Sequence, residues 1–200
     1  QNSKKTYDGG IVAGSLLVAE SREIARMLLQ GGGPEAWKEA ILKGNILQKR
    51  SPETARRQGR LIQKRLSLMK PPLWEIIANS HTDLSTQAVM AAAVKHSRLI
   101  GDFMDAVVRP HWQTFQKSIS DTDWNHFLAE CAQLDPRVEA WSENTRKKLK
   151  QVVFRILAES GYLSDTKNRV LQPVSIEPEL RKYLIAYNEN YVLNCMSATE

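Results

Sequence analysis

By type and spacing, the histidines, cysteines and close pairs of aspartates are the residues of this chain that could do chemistry. The four histidines, His81, His96, His111 and His126, make neither an HExxH nor an HxH pattern, the spacings that set two imidazoles around one zinc ion. His126 and Cys131 stand five apart, which is poor for ligation from one helix face. Cys131 and Cys195 form no CxxC pair. They read as free thiols in a reducing compartment, without a zinc site or a disulfide framework. Asp102 with Asp105, and Asp121 with Asp123, are pairs of the kind that hold magnesium in a nuclease. Yet Asp121 and Asp123 suit the acidic first turn of a helix, and Asp102 has Arg98 four residues before it. Gly31-Gly32-Gly33 lacks the Lys-Ser/Thr of a phosphate loop, and no GxSxG elbow occurs. The reading is a chain with no catalytic site, no metal and no cofactor.

What remains is the chemistry of charge. The 200-residue chain carries a net +6, unevenly spread. Nine cations fall between positions 43 and 70 (Lys43, Lys49, Arg50, Arg56, Arg57, Arg60, Lys64, Arg65 and Lys70) with Glu53 as the one acid there. That segment holds a surplus of eight positive charges, so the rest of the chain is slightly acidic. Wound at 100° per residue, Ala55, Ile62, Leu66 and Met69 form one stripe, while Arg56, Arg57, Arg60 and Lys64 fall within about 100° on the other side. Lys49 and Arg50 stand just ahead of the helix start, where free backbone N–H groups add positive potential. An anchored helix presenting four cations over about two turns suits phosphate oxygens, and arginine forks can also read guanine edges. A single local acid leaves the segment without i,i+4 neutralisation. An acidic protein partner or a solvated face are the competing readings. A second cluster comprises Arg146, Lys147, Lys148, Lys150 and Arg155, with an exposed helix face as its plain alternative.

The elements that must position these residues are helices. Hydrophobic residues make up 42% of the chain, enough for a packed core. Helices are expected from about Ser15 to Gln30, stopped by the glycine triplet; from Pro34 to near Gly44; and from Ser51-Pro52 to about Met69. Others follow from Pro72, from Asp83 through Ala88–Val94 to Val108, from Ser120 or Asp121, from Ser142 to Gly161, and from Glu179 to about Leu193. Only RVLQPVSI, residues 169–176, reads as extended, and Pro173 makes it an edge strand or a loop. Tryptophans 37, 74, 112, 124 and 141 fall among apolar residues and read as core. The fold class is mainly α: a compact multi-helix protein, with two helical subdomains and a winged-helix-like element where the late basic helix runs into GYL and the extended segment. The expected division is a flexible leader over 1–12, a unit with the basic helix over 13–115, and a second helical unit over 116–200. The longest unbroken apolar run, Ala88–Val94, is seven residues, far short of the about 20 a bilayer span needs. No membrane insertion and a cytoplasmic location are expected.

Several stretches resemble the BrxA family of BREX bacteriophage-defence systems. These are AGSLLVAESREIARMLL, Trp37, ILKGNILQKRSPETARRQGRLIQKRL, AAVKHSRLIGDFMDAVV, LKQVVFRILAESGYL and PELRKYL, which together run from about Gly14 to Leu184. The resemblance implies a helical, non-enzymatic, DNA-binding part of a multi-protein defence system, with double-stranded DNA and other BREX proteins as partners. It also implies DNA contact at Asn45, Lys49, Arg50, Arg57 and Arg65. The expected contact set is therefore Lys49, Arg50, Arg56, Arg57, Arg60, Lys64 and Arg65, joined by Lys147, Lys148, Lys150 and Arg155. The alternative is an adaptor whose basic face docks an acidic member of the defence complex.

Overall fold

Serine caps, first-turn prolines and left-handed glycines mark several of the helix ends in the computed structural model, which describes residues 6–200. A 3-10 turn at Gly10–Ala13 leads into α1 (Val18–Leu29). Gly31 stops α1 at a φ of +71°, in the left-handed region that glycine enters at no steric cost. Helix α2 (Pro34–Lys38) widens into a π-helical turn at Glu39–Lys43. Helix α3 (Pro52–Ser67) starts where Ser51 Oγ accepts from Thr54 N at 3.2 Å, with Pro52 in the first turn. Helices α4 (Pro71–Asn79) and α5 (Thr82–His96) follow.

Next, α6 (Arg98–Phe103), a π-helical turn at Met104–Val108 and α7 (Arg109–Gln113) run on without a break. The wider turn sits just upstream of Pro110, whose ring would crowd the carbonyl four residues back in a regular α-helix. Helix α8 (Asp121–Leu134) opens on a capping box between Ser120 and Asp123. A 3-10 turn at Pro136–Val138 joins it to α9 (Glu143–Glu159), capped by Ser142 Oγ accepting from Thr145 N at 3.1 Å. Gly161 ends α9 at a φ of +86°. Helices α10 (Pro178–Ala186) and α11 (Asn190–Met196) complete the described chain.

The apolar run read from the sequence becomes the central helix. Every residue from Ala88 to Val94 is at most 1% exposed, as a helix that is apolar all round must be. Helices α1, α3, α4, α10 and α11 pack around α5. A second focus is aromatic: Phe103 and Trp124 stand against each other and against Phe127 and Phe154, with ring centroids 5.1–6.0 Å apart. It ties α8 and α9 to the end of α6 through edge and tilted ring contacts. Trp124 is buried, and the other four tryptophans are half-buried against the core.

The expected extended segment takes part in backbone pairing. Ser118 and Val170, and Leu163 and Leu171, form antiparallel bridges. No strand longer than these bridges occurs among the described residues. The expected leader needs correction. Residues 1–5 lie outside the described residues, but Tyr7 and Ile11 are buried at 4% and 1% exposed. Tyr7 N donates to Asp135 Oδ2 at 2.9 Å, and its hydroxyl donates to Asp102 Oδ2 at 2.8 Å. A large aromatic ring with its hydroxyl satisfied by a buried carboxylate is an anchor, not a loose end. No helix among the described residues is long and apolar enough to cross a membrane.

Candidate nucleic-acid interface

The apolar stripe of α3 is seated in the core, with Ala55, Ile62 and Leu66 all at most 2% exposed. That seating turns Arg56, Arg57, Arg60 and Lys64 outward, and all four are exposed. None of them has an ion-pair partner within 4.0 Å among the described residues. They line a cleft of about 380 Å³ together with Asp8, Glu53 and His96. Burial, then the positive charges of Arg65 and Lys64, hold His96 below the usual histidine range against the pull of Asp8. The cleft wall therefore places beside four cations an imidazole whose protonation is disfavoured.

Two members of the expected contact set on and just before α3 do other work. Arg65 is 1% exposed. Its Nη1 donates to the carbonyls of Ser15 and Leu16 at 2.9 and 3.1 Å. Burial pushes its pKa down to about 10, partly offset by the carboxylate of Glu159. Arg65 is a tie holding the segment before α1 against α3, so it presents no cation to a ligand. Lys49 is paired with Glu20, with side chains only 20% and 17% exposed. Arg50 is exposed beside the N-cap of α3. Asn45 has a positive φ of 44° and exchanges two hydrogen bonds with the Lys49 backbone, at 2.8 and 3.0 Å. It shapes the loop that delivers Lys49 and Arg50.

On α9 the outcome is similarly divided. Lys147, Lys148 and Arg155 are exposed. Lys150 is paired with Asp121 at 3.2 Å, and Arg169 Nη1 donates to the same carboxylate at 2.6 Å. These two cations hold Asp121 below the usual carboxylate range, Arg169 foremost. Arg146 donates to the carbonyls of Val138, Glu139 and Trp141, fastening the turn before α9. Nothing in the sequence signalled Arg169, which also lies over the Phe154 ring at 4.6 Å.

The segment from Gly9 to Leu16 touches both basic helices. Its 3-10 turn packs against α3 and α9, and Leu16 N donates to Glu159 Oε2 at 2.9 Å. The acids first weighed as metal ligands are engaged. Asp102 accepts from Tyr7 and Tyr191, each at 2.8 Å, and faces Arg98 at 3.4 Å. Asp123 closes its capping box. No group of three or more histidines, cysteines, aspartates or glutamates is placed to hold a metal among the described residues.

Comparison with known proteins covers nearly the whole chain. The sequence model of the BrxA family matches residues 5–188. The BREX protein BrxA of Paramagnetospirillum magneticum (strain ATCC 700264 / AMB-1) is 42% identical over 193 residues, which is 96% of this chain and 97% of that protein. The BREX protein BrxA of Escherichia coli O9:H4 (strain HS) is 32% identical over 180 residues, 90% of this chain and 84% of that one. A crystal structure of an uncharacterized protein from Magnetospirillum magneticum superposes with a TM-score of 0.90 at 40% identity. It covers 97% of this chain and 100% of its own.

Proposed function

From the premise that this chain belongs to the BrxA family of BREX phage-defence components, we propose that it serves its system by binding double-stranded DNA without catalysing a reaction. The observation that carries this reading is the outward face of α3: four exposed cations with no ion-pair partner among the described residues, gathered on one cleft. Arg56, Arg57, Arg60 and Lys64 contact phosphate oxygens, Arg50 adds to them at the start of the helix, and Lys147, Lys148 and Arg155 form a second contact region. Lys49 and Lys150 support these surfaces through their ion pairs. Other BREX proteins are the natural partners of the bound complex, and the cytoplasm is where host and phage DNA meet it.

Binding through phosphates is salt-dependent, with a slope of about −0.9 per contact, so four contacts weaken affinity about 100-fold between about 50 and about 200 mM salt. A gel shift with a duplex at both salt concentrations tests this. Reversing Arg57→Glu with Arg60→Glu is expected to abolish the shift while circular dichroism stays unchanged. Unchanged affinity in that double variant overturns the assignment of the surface. No shift at low salt leaves the basic face as a docking surface for an acidic protein.

A further inference from the structure

Arg56 and Arg60 line two cavities. One is the cleft already described. The other, of about 360 Å³, is lined by Trp37, Lys38, Ile41 and Leu42 together with the same two arginines. On α3 these arginines stand about 40° apart and one turn, about 6 Å, along the axis. Arg57 and Lys64 lie farther round, on the cleft side. Gly59 lies about 60° to the other side of Arg56, against Ile41: a Cβ added there would meet Ile41 Cδ1 at 2.9 Å. The missing side chain lets the segment from α2 through its π-helical turn close onto α3, and Trp37 shares a cavity with Arg56 and Arg60.

The two cavities differ in charge. The cleft holds Asp8 and Glu53 beside its cations. The second cavity has three cations, Lys38, Arg56 and Arg60, and no acid in its lining among the described residues. All three are exposed, and none has an ion-pair partner within 4.0 Å among the described residues. The rest of the lining is apolar. Ile41 is 3% exposed, while Trp37 and Leu42 are half-buried and keep open surface.

That combination selects a ligand with a flat apolar face and a negative charge beside it. A nucleobase stacks on an indole whatever its sequence, and an arginine plane can cover its other face. The same guanidinium groups fit the phosphates on either side of the base. An inorganic anion would leave the indole unused, and an uncharged apolar ligand would leave the cations unmatched. A paired base cannot enter, because its neighbours in the stack cover both faces; a base out of the stack can. The volume lies within the range of about 300–1,000 Å³ in which pockets enclose small organic groups. One wall is the π-helical turn at Glu39–Lys43, a helix distortion that recurs at functional sites.

We propose that this cavity takes an unpaired base of a DNA strand, stacked on Trp37, while Arg56 and Arg60 hold the flanking phosphates. The α3 surface then prefers a duplex carrying a bulged or terminal unpaired nucleotide to a fully paired one. The proposal rests on the double-stranded DNA reading above and adds to it a site that senses a base out of the stack.

A fluorescent base tests it. Two 30-base-pair duplexes each carry one 2-aminopurine, paired with thymine in the first and unpaired as a one-base bulge in the second. The full chain is titrated into each, with the bound fraction read from the anisotropy of a dye at the far end and the 2-aminopurine emission read alongside. The bulged duplex is expected to bind about tenfold tighter, with its emission quenched on binding and that of the paired base unchanged. Trp37→Ala is expected to bring the two affinities within about twofold and to abolish the quench while paired-duplex binding stays as it was; Trp37→Phe is expected to restore part of the preference. Equal affinities with no quench in the unsubstituted protein, a result that needs no variant to fold, overturn the base site and leave the α3 phosphate surface standing. A full preference that persists in a folded Trp37→Ala does the same. Failure to bind either duplex at low salt removes both.

Discussion

Arg65 separates a structural cation from a ligand-facing one, and Arg65→Met isolates the difference. The substitution keeps a long aliphatic stem in a site that is 1% exposed and removes the guanidinium with its bonds to Ser15 O and Leu16 O. Two bonds from a charged donor are worth about 2.5 kcal/mol each, about 5 kcal/mol together. Removing a buried charge also relieves its desolvation, the same cost that lowers the Arg65 pKa to about 10, and this returns about 3 kcal/mol. The net loss is about 2 kcal/mol, which for a domain of this size lowers Tm by about 4–8 °C. The assay is a thermal scan by circular dichroism at 222 nm, paired with a gel shift in the cold, where the variant is folded. DNA affinity is expected to stay within about twofold of the unsubstituted protein, since a residue with no exposed surface contributes no phosphate contact. A Tm unchanged within a degree refutes the tie. A folded variant with tenfold weaker binding restores Arg65 to the contact surface.

Stability is expected to fall on mild acidification through His96. Its folded pKa lies below the ordinary 6.5, so below that pH the unfolded chain binds the extra proton. Its contribution is full above about pH 6.5 and is lost as pH drops toward the folded value. Urea midpoints between pH 7 and pH 5 check this, and His96→Gln should flatten the slope there; the lowered carboxylates Asp121, Asp123, Asp135, Asp165 and Glu200 act below about pH 5. Gly101→Ala should destabilise the fold by about 2 kcal/mol or more, because an added Cβ would run into Tyr191 Oη and displace it from Asp102; an unaltered denaturation midpoint would contradict that packing. Ellman's reagent should leave both thiols of the folded protein unmodified, given that Cys131 and Cys195 are buried and that burial pushes Cys195 up to about 12, and should modify both in guanidinium.

Local chemistry was readable from the chain and distant chemistry was not. Ser51 and Ser142 cap the helices expected to start there, and of the candidates Ser120 and Asp121 it is Ser120 that caps the helix between them, because a cap needs only its own next three residues. Gly31 and Gly161 stop helices at positive φ for the same reason. The seven-residue apolar run announced the central helix, since nothing but all-round burial accommodates it. The exposed cations of α3 followed from periodicity, which also sets Arg65 about 80° outside their arc. What fills the space beside Arg65 comes from Ser15 and Leu16, about fifty residues earlier, and no local pattern reveals that. The Lys49–Glu20 and Lys150–Asp121 pairs join residues 29 apart in each case, so both lysines read as free when only their own helices are considered. The anchoring of Tyr7 was hidden similarly: its partners, Asp102 and Asp135, belong to elements far along the chain.

The segment from Tyr7 to Leu16 makes this protein late to close during synthesis. Its bonds to Asp135 and Glu159 span 128 and 143 residues. At about 5–20 residues per second, Leu16 is joined to the growing chain roughly 7–30 s before Glu159 is. Over that interval Ile11 and Leu16, each at most 1% exposed in the finished fold, lack part of the surface that covers them. The nascent chain is therefore a natural client for chaperones that hold apolar segments. A ribosome stalled before α9 would carry the cations of α3 on a chain that has not locked, and premature attachment to nucleic acid would compete with completion of the fold.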